Sequence, residues 1–375
     1  MNTRALERQQ VPNFGTLFKK YILVFDGPLA LIIFLILSAG TITMYSAGID
    51  FPGRLEDHVR NTVLAFGIMW ITALMPPSVL MRLAVPLYTL GIVLLVGVAM
   101  FGLIRNGARR WIDVGIVIQP SELIKISLPL MLAWYFQRRE GQIRWPQFIV
   151  ATILLLIPVG FILRQPDLGT SLLVLASGFC VIFLAGLSWK VLAGLGIAGA
   201  ASLPIAWHML HDYQRGRVMM LLDPTSDPLG KGFHIIQSTI AIGSGGIDGK
   251  GWVQGTQSHL QFIPERTTDF IFAVYSEEFG LIGNIILLVL YLLLLGRGLT
   301  IAANAATLFG RLLAGALTLM FFVYAFVNMG LVSGILPVVG VPLPFMSYGG
   351  TAFVTLGLAA GMLMSIRRHQ KLVQT

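Results

Sequence analysis

Apolar residues gather along this chain in long unbroken runs. Stretches such as 29–46, 83–104 and 281–295 contain no charged residue. Roughly 18–20 apolar residues, at about 1.5 Å each, cross the hydrocarbon core of a bilayer. The pattern predicts an all-α polytopic membrane protein of about ten transmembrane helices, near 28–46, 61–76, 83–104, 121–136, 148–163, 168–187, 189–207, 269–295, 312–335 and 351–366. The second and last are short, which leaves nine as the competing count. A membrane β-barrel would alternate apolar and polar residues over segments of about ten, and no such alternation occurs. No internal repeat divides the chain, so 1–375 reads as one membrane domain, with tails at 1–26 and 367–375 and one large loop, 208–268, between the seventh and eighth helices.

Composition agrees. Of 375 residues, 56% are apolar and 11% charged, less than half the roughly 25% charged of soluble domains. That excludes a water-soluble enzyme. A net charge of +9 could signal nucleic acid in a soluble protein. Here the basic residues sit at the ends of apolar runs, where membrane orientation and anionic headgroups account for them, and no nucleic acid partner is expected. Cys180 stands alone, so no intrachain disulfide can form. The first apolar run lacks a small-residue cleavage pattern and reads as a retained helix, not a signal peptide.

Orientation follows from Lys and Arg. With the N-terminus in the cytoplasm, inner segments hold 14 and outer segments 11, five of the latter in the long loop. Long loops obey the positive-inside rule poorly, and without that loop the balance is 14 to 6. An N-in, C-in topology is predicted. Every unusual residue cluster then lies on the outer side: 107–122, 164–170, 208–269 and 337–351. ATP is absent there, so a reaction would need a substrate that carries its own leaving group.

Gly107-Ala-Arg-Arg-Trp-Ile-Asp-Val-Gly115 precedes Gln119-Pro-Ser-Glu122 and Lys125. Pro120 suits a first helical turn, and Glu122 and Lys125, three apart, share a helix face. Ionisable residues in a span are functional by default; a structural ion pair pinning this helix to a neighbour is the equal alternative. Arg109 and Arg110 beside Trp111 could hold a phosphate at headgroup level or anchor the helix at the interface. In Gln165-Pro-Asp-Leu-Gly-Thr170, Asp167 near a helix N-terminus is first a capping residue. Gly243-Ser-Gly-Gly-Ile-Asp-Gly-Lys-Gly-Trp252 resembles a P-loop but fails it, with Ser244 and Gly251 at the required Gly and Ser/Thr positions. Its glycines are read as letting backbone approach a sugar or lipid headgroup, against a plain flexible loop.

Ile263-Pro-Glu-Arg-Thr-Thr-Asp-Phe-Ile-Phe272 opens the eighth span. Asp269 sits where polar loop becomes apolar helix, with Glu265 one turn back. Partial desolvation should raise its pKa from ~3.9 towards the range of a general base; an N-cap role is the alternative. Glu277 and Glu278 lie deeper and must face the protein interior, with Lys125, Arg109 or Arg110 as candidate partners. Pro337-Val-Val-Gly-Val-Pro-Leu-Pro-Phe-Met-Ser-Tyr-Gly-Gly350 reads as a re-entrant wall of a substrate groove, or as a tight connection between helices. No histidine pair stands at metal spacing within a span, and no Ser-His-Asp arrangement is evident.

These motifs together resemble the SEDS family (shape, elongation, division and sporulation). The likeness rests on Arg110-Trp-Ile-Asp-Val-Gly, Gln119-Pro-Ser-Glu-Leu-Ile-Lys125, Gln165-Pro-Asp-Leu-Gly-Thr170, Arg217-Val-Met-Met-Leu-Leu-Asp-Pro224, His234-Ile-Ile-Gln-Ser, Gly251-Trp, Pro264-Glu-Arg-Thr-Thr-Asp-Phe270 and Ser347-Tyr-Gly-Gly350. The fourth and fifth favour the elongation branch over the division branch. Thr351, where serine is common in the family, is a mild departure. The resemblance implies a multi-pass protein of the bacterial inner membrane. It implies a peptidoglycan glycosyltransferase that polymerises lipid II, an already activated undecaprenyl-pyrophosphate sugar. It puts the essential aspartate at Asp269 and makes Glu122, Asp167, Glu265 and Ser347 candidates for binding substrate. Arg109, Arg110, Lys125, Arg215 and Arg217 are the cations available to the pyrophosphate. No resident cofactor is implied, and a divalent cation, Mg or Mn, is left open. The implied partners are a class B penicillin-binding protein, whose transpeptidase crosslinks the glycan, and other membrane proteins of the elongation complex. A lipid II flippase, or a non-catalytic scaffold, is the competing reading.

Overall fold

The computed structural model describes residues 25–105, 108–113, 115, 117–165, 167–209, 215–216, 219, 223, 232–260, 262–263 and 265–372. A long helix lies over each predicted span. They are α1 (Gly27–Ala47), α2 (Arg54–Leu74), α3 (Pro77–Phe101), α4 (Pro120–Gln137), α5 (Trp145–Leu163), α6 (Leu168–Leu184) and α7 (Trp189–Met209), then, after the shorter α8 (Phe233–Ser244) and α9 (Thr256–His259), α10 (Ile271–Ala303), α11 (Leu308–Val332) and α12 (Gly350–Arg368). By length and composition, α1, α3, α5, α10, α11 and α12 could each cross a membrane.

Several helices outrun the apolar residues that announced them. α2 starts at Arg54 instead of near 61, because Glu56 and Asp57 in its first turn complement the helix dipole. One element had no signal in the runs: a small antiparallel meander of β1 (Leu103–Arg105), β2 (Ala108–Asp113) and β3 (Val117–Ile118) joins α3 to α4. The Asp113 carboxylate accepts the Gly115 N–H (3.0 Å) to start the turn between β2 and β3.

α4, α11 and α12 form the centre, with Phe136, Phe309, Phe321, Tyr324 and Phe353 fully buried. Around them α1, α3, α5 and α10 turn large apolar side chains outward, among them Phe34, Val93, Ile153 and Ile286. This apolar exterior over a partly polar interior suits lipid as the solvent. Where α2 meets α12, Gly357 and Gly361 allow contact of backbones: a Cβ on either would lie 2.7 and 2.6 Å from the carbonyls of Ala65 and Met69. Small residues four apart serve this purpose in membranes.

α10 is broken at Gly280, whose φ of 61° interrupts the helical ladder. The glycine-rich loop repairs the break. Lys250 and Gly251 N–H groups donate to the carbonyls of Glu277 and Glu278 (3.0 Å each), and Leu281 and Ile282 N–H groups donate to Gly246 and Ile247 (3.0 and 3.1 Å). Gly245 and Gly249 are required because a Cβ on them would stand 2.2 and 2.1 Å from the carbonyl oxygens of Ser276 and Glu278. The expectation that these glycines admit a headgroup is thereby corrected at Gly245 and Gly249, which admit α10. The second half, 281–303, is about 34 Å long by itself and turns apolar residues outward from Leu281 on.

The partners expected for Glu277 and Glu278 are also corrected. Both are buried, as predicted, but Glu277 pairs with Lys250 (2.7 Å) and accepts the Gln257 N–H (2.9 Å), while Glu278 accepts the Ser46 hydroxyl. Trp252 donates its indole N–H to the Ile42 carbonyl (3.1 Å) and packs on Tyr45, so the loop is fastened to α1 as well.

At the opposite end of the bundle Asp26 caps α1, accepting the Leu29 N–H (3.1 Å), and joins Arg297 of α10 (2.8 Å to Nε) and Arg367 of α12 (3.6 Å). Burial alone would raise this carboxyl. The hydrogen bonds from Arg297 and Leu29 and the charges of Arg297 and Arg367 outweigh it and hold the pKa below its ordinary 3.8. A carboxyl depressed by folding adds stability above its unfolded pKa and loses it as pH falls through the folded one. Asp26→Asn is expected to lower the unfolding temperature in detergent at neutral pH, with the gap to the native protein narrowing as pH drops below the carboxylate range. A gap independent of pH would show that the charge is not what holds these helices.

Candidate active site

Residues 265–270 form turns ahead of α10, so Asp269 precedes the helix by two residues instead of opening it. Three attachments hold the turn. Arg266, almost fully buried, donates to the carbonyls of Ala47 (2.9 Å) and Ser258 (2.5 Å) and pairs with Asp50. The Thr267 carbonyl accepts the Tyr348 N–H (2.8 Å). The Asp269 carbonyl accepts the side-chain amide of Asn328 (2.8 Å), which also donates to Val341 (2.7 Å). The Asp269 side chain is half-buried, and one carboxylate oxygen lies 3.5 Å from the place a Cβ would occupy on Gly340.

The segment 337–348 is the wall against which these pieces meet. Its Val339 carbonyl rests on α6, 2.2 Å from a Cβ built on Gly169. Two residues before that glycine, Asp167 caps α6 by accepting the Thr170 N–H (3.1 Å), accepts the Gln119 amide (3.3 Å) and pairs with Arg110 at 3.8 Å. Arg110 also donates to the Gln165 carbonyl (3.2 Å). Adjacent residues Val339 and Gly340 thus lie against Gly169, two residues beyond Asp167, and beside the Asp269 carboxylate respectively, which brings two distant motifs to one wall. Ser347 does not face outward from it: its hydroxyl accepts the Leu343 N–H (2.7 Å) and is buried. It shapes the turn of the wall there. Tyr348 continues the wall, donating to Asp57 (3.2 Å) beneath the Arg54 guanidinium.

Below, Glu122 and Lys125 pair at 2.6 Å in the core. Thr355 of α12 donates to Glu122 (2.9 Å), and Lys125 lies over the ring of Tyr324 of α11, 5.3 Å from its centre. The pair therefore joins the three central helices. Of the other expected residues, Arg109 is exposed on β2, and Glu265 is exposed, accepting the Thr268 hydroxyl (2.8 Å). Arg215 donates to the carbonyls of Trp207 and His208 (3.0 and 2.7 Å), closing the end of α7, as a cation at a helix C-terminus does. Arg217 lies outside the described residues.

Two residues that organise the site were not singled out from the sequence. Asn328 had a signal, a polar amide within an apolar run. Arg266 stood inside a recognised motif, but two of its three partners, Asp50 and Ala47, lie 216 and 219 residues away and nothing local points to them.

Residues 21–372 match the family of cell cycle proteins that groups FtsW, RodA and SpoVE. The chain is 51% identical over 364 residues to the peptidoglycan glycosyltransferase MrdB of Escherichia coli (strain K12), across 96% of this chain and 98% of that one. To the peptidoglycan glycosyltransferase RodA of Treponema pallidum it is 32% identical, across 92% and 98%. Among solved structures it resembles a chain of a peptidoglycan synthase complex that coordinates polymerization and crosslinking, with a TM-score of 0.80 and 34% identity over 93% of this chain and 99% of that one. Against the rod shape determining protein RodA of Thermus thermophilus the TM-score is 0.70, with 30% identity over 92% and 98%. Matched over nearly its whole length, this chain belongs to the FtsW/RodA/SpoVE family, the SEDS family that its eight ordered motifs resemble.

Proposed function

We propose that this chain is a peptidoglycan glycosyltransferase of the elongation type that polymerises lipid II at the outer face of the bacterial inner membrane, with Asp269 as general base. The observation that carries the assignment of the base is the fixed turn of Asp269, held at three points while its carboxylate lies at Gly340 of the 337–348 wall. The donor is a sugar on undecaprenyl pyrophosphate. Asp269 takes the proton of the acceptor's 4-hydroxyl as that oxygen bonds to the donor's anomeric carbon. The bond from that carbon to pyrophosphate breaks on the opposite side, so configuration inverts. Pyrophosphate needs no protonating acid where cations meet its growing charge, which is why one carboxylate suffices where a glycosidase uses two.

Arg109, exposed on the meander, and Arg110 behind it are proposed to meet the pyrophosphate, with Arg215 and, by its place in the sequence, Arg217 as further candidate cations. Asp167 sets Arg110 in place, and Glu265 is proposed to border the acceptor. Glu122 and Lys125 are proposed to hold the floor of the site. Among the described residues no group of three or more His, Cys, Asp or Glu could hold a metal ion, and no step is routed through one. The outer placement rests on the N-in, C-in orientation of a single ten-span domain. The likeness to a synthase complex supports a crosslinking partner, proposed to be a class B penicillin-binding protein, with other membrane proteins of the elongation complex around it. Transport would call on Glu277 and Glu278 as a polar path, and their hydrogen bonds, those of Glu277 into the loop and that of Glu278 with Ser46 of α1, favour polymerisation instead.

Purified with its transpeptidase and given labelled lipid II, the native protein is expected to yield a ladder of glycan strands. No polymer from an intact, folded complex would overturn the reading. Asn328→Ala, which frees the Asp269 and Val341 carbonyls, is expected to lower kcat about tenfold with a smaller change in KM, since two hydrogen bonds of about 1 kcal/mol each are lost near the base. A change confined to thermal stability would assign Asn328 to packing alone.

A further inference from the structure

At the end of the bundle away from Asp269, α3 and α4 part to leave a groove of about 410 Å³ lined by Ser78, Met81, Arg82, Val85, Trp134 and Arg138. We propose that this groove is a binding site for one anionic phospholipid of the cytoplasmic leaflet. The placement rests on the N-in orientation and not on the reaction assigned above.

The lining has the polarity of such a lipid. On α3, Ser78, Met81, Arg82 and Val85 are spaced i, i+3, i+4 and i+7, and so share one helix face. Trp134 in the last turn of α4 and Arg138, the residue that caps it, are four apart, and the Arg138 guanidinium lies 5.4 Å from the centre of the indole. Antiparallel α3 and α4 place Ser78, Arg82 and Arg138 towards the aqueous end, and Val85 and Trp134 about one turn deeper. A phosphate belongs beside the first three, and the glycerol and upper acyl carbons beside the last two.

Charge points the same way. Among the described residues neither Arg82 nor Arg138 is in an ion pair, and no acid lines the groove. Glu140, the nearest acid along the chain, accepts the Gln137 amide (2.6 Å). The N-terminus of α3 adds the Ser78 N–H, which has no carbonyl one turn behind it. Two arginines without a counter-ion, at the rim of a groove whose far end is apolar, require an anion that brings its own hydrocarbon. Basic pockets between helices on the cytoplasmic side recognise anionic headgroups in this way.

The test uses the full chain in detergent, titrated with phosphatidylglycerol or phosphatidylcholine and read by native mass spectrometry. The native protein is expected to retain phosphatidylglycerol selectively. Arg82→Gln with Arg138→Gln should weaken that binding roughly 30-fold, about fivefold for each arginine, and leave phosphatidylcholine unchanged. Arg82→Lys with Arg138→Lys keeps the charge and should stay within about threefold of native. Equal retention of both lipids by the native protein, or no loss in the Gln pair, overturns the proposal. Displacement of the lipid by millimolar inorganic phosphate overturns it too, since the site would then recognise a free anion. Should the Gln pair not fold, quenching decides: brominated phosphatidylglycerol should quench the native protein more than brominated phosphatidylcholine, and Trp134→Phe should remove the excess. Equal quenching by the two lipids would end the proposal.

Discussion

Asp269→Asn is expected to cut glycan polymerisation by about 10²- to 10⁴-fold, the range supplied by a positioned base. The substitution keeps the shape of the side chain and leaves the carbonyl of residue 269 available to Asn328. The turn is fixed by Arg266, Thr267 and that carbonyl, not by the carboxylate alone. Fold and partner binding should therefore survive while proton transfer does not. The measurement is polymer length from labelled lipid II, with co-elution of the transpeptidase as the control for folding. Equal polymer from the two proteins would remove Asp269 as the base. A mutant that no longer elutes with its partner would instead give the residue a structural role.

The second large effect falls on stability. Lys125→Met leaves the largely buried Glu122 with the Thr355 hydroxyl but without its paired cation. Removing one member of a buried pair costs about 3–5 kcal/mol, because the other charge remains without compensation. The unfolding temperature in detergent should fall sharply. Pairing it with Glu122→Gln should restore most of the loss, since both charges are then gone. The activity of that double variant separates the two readings of the pair. A folded, active protein makes it a pin between α4, α11 and α12; a folded, inactive one makes it part of the chemistry.

The positions of the long helices could be read from the chain because bilayer thickness sets the length of an apolar run. Short strands carry no comparable signal, and β3 has two residues. The glycine-rich stretch was harder for a different reason. A glycine permits mobility, approach of a ligand or approach of another backbone, and only the neighbour tells them apart; at Gly249 it is the Glu278 carbonyl. The same holds for charges. Burial of Glu277 followed from its place in an apolar helix, yet its partner Lys250 is 27 residues distant and was indistinguishable from the other cations. Asp167 was legible both ways, since a cap needs only its own helix start, while its pairing with Arg110 needed the fold.

The interrupted α10 also bears on how the protein is made. Residues 246–251 precede 277–282 in the chain, so the ribosome delivers the repairing loop first. The acceptors and donors for the open turn are therefore in the chain before the later half of the helix is made. The break at Gly280 then closes with its backbone groups paired, as hydrocarbon surroundings demand. The order of residues along the chain thus lets a helix of this length be divided at Gly280 with its partners made ahead of it.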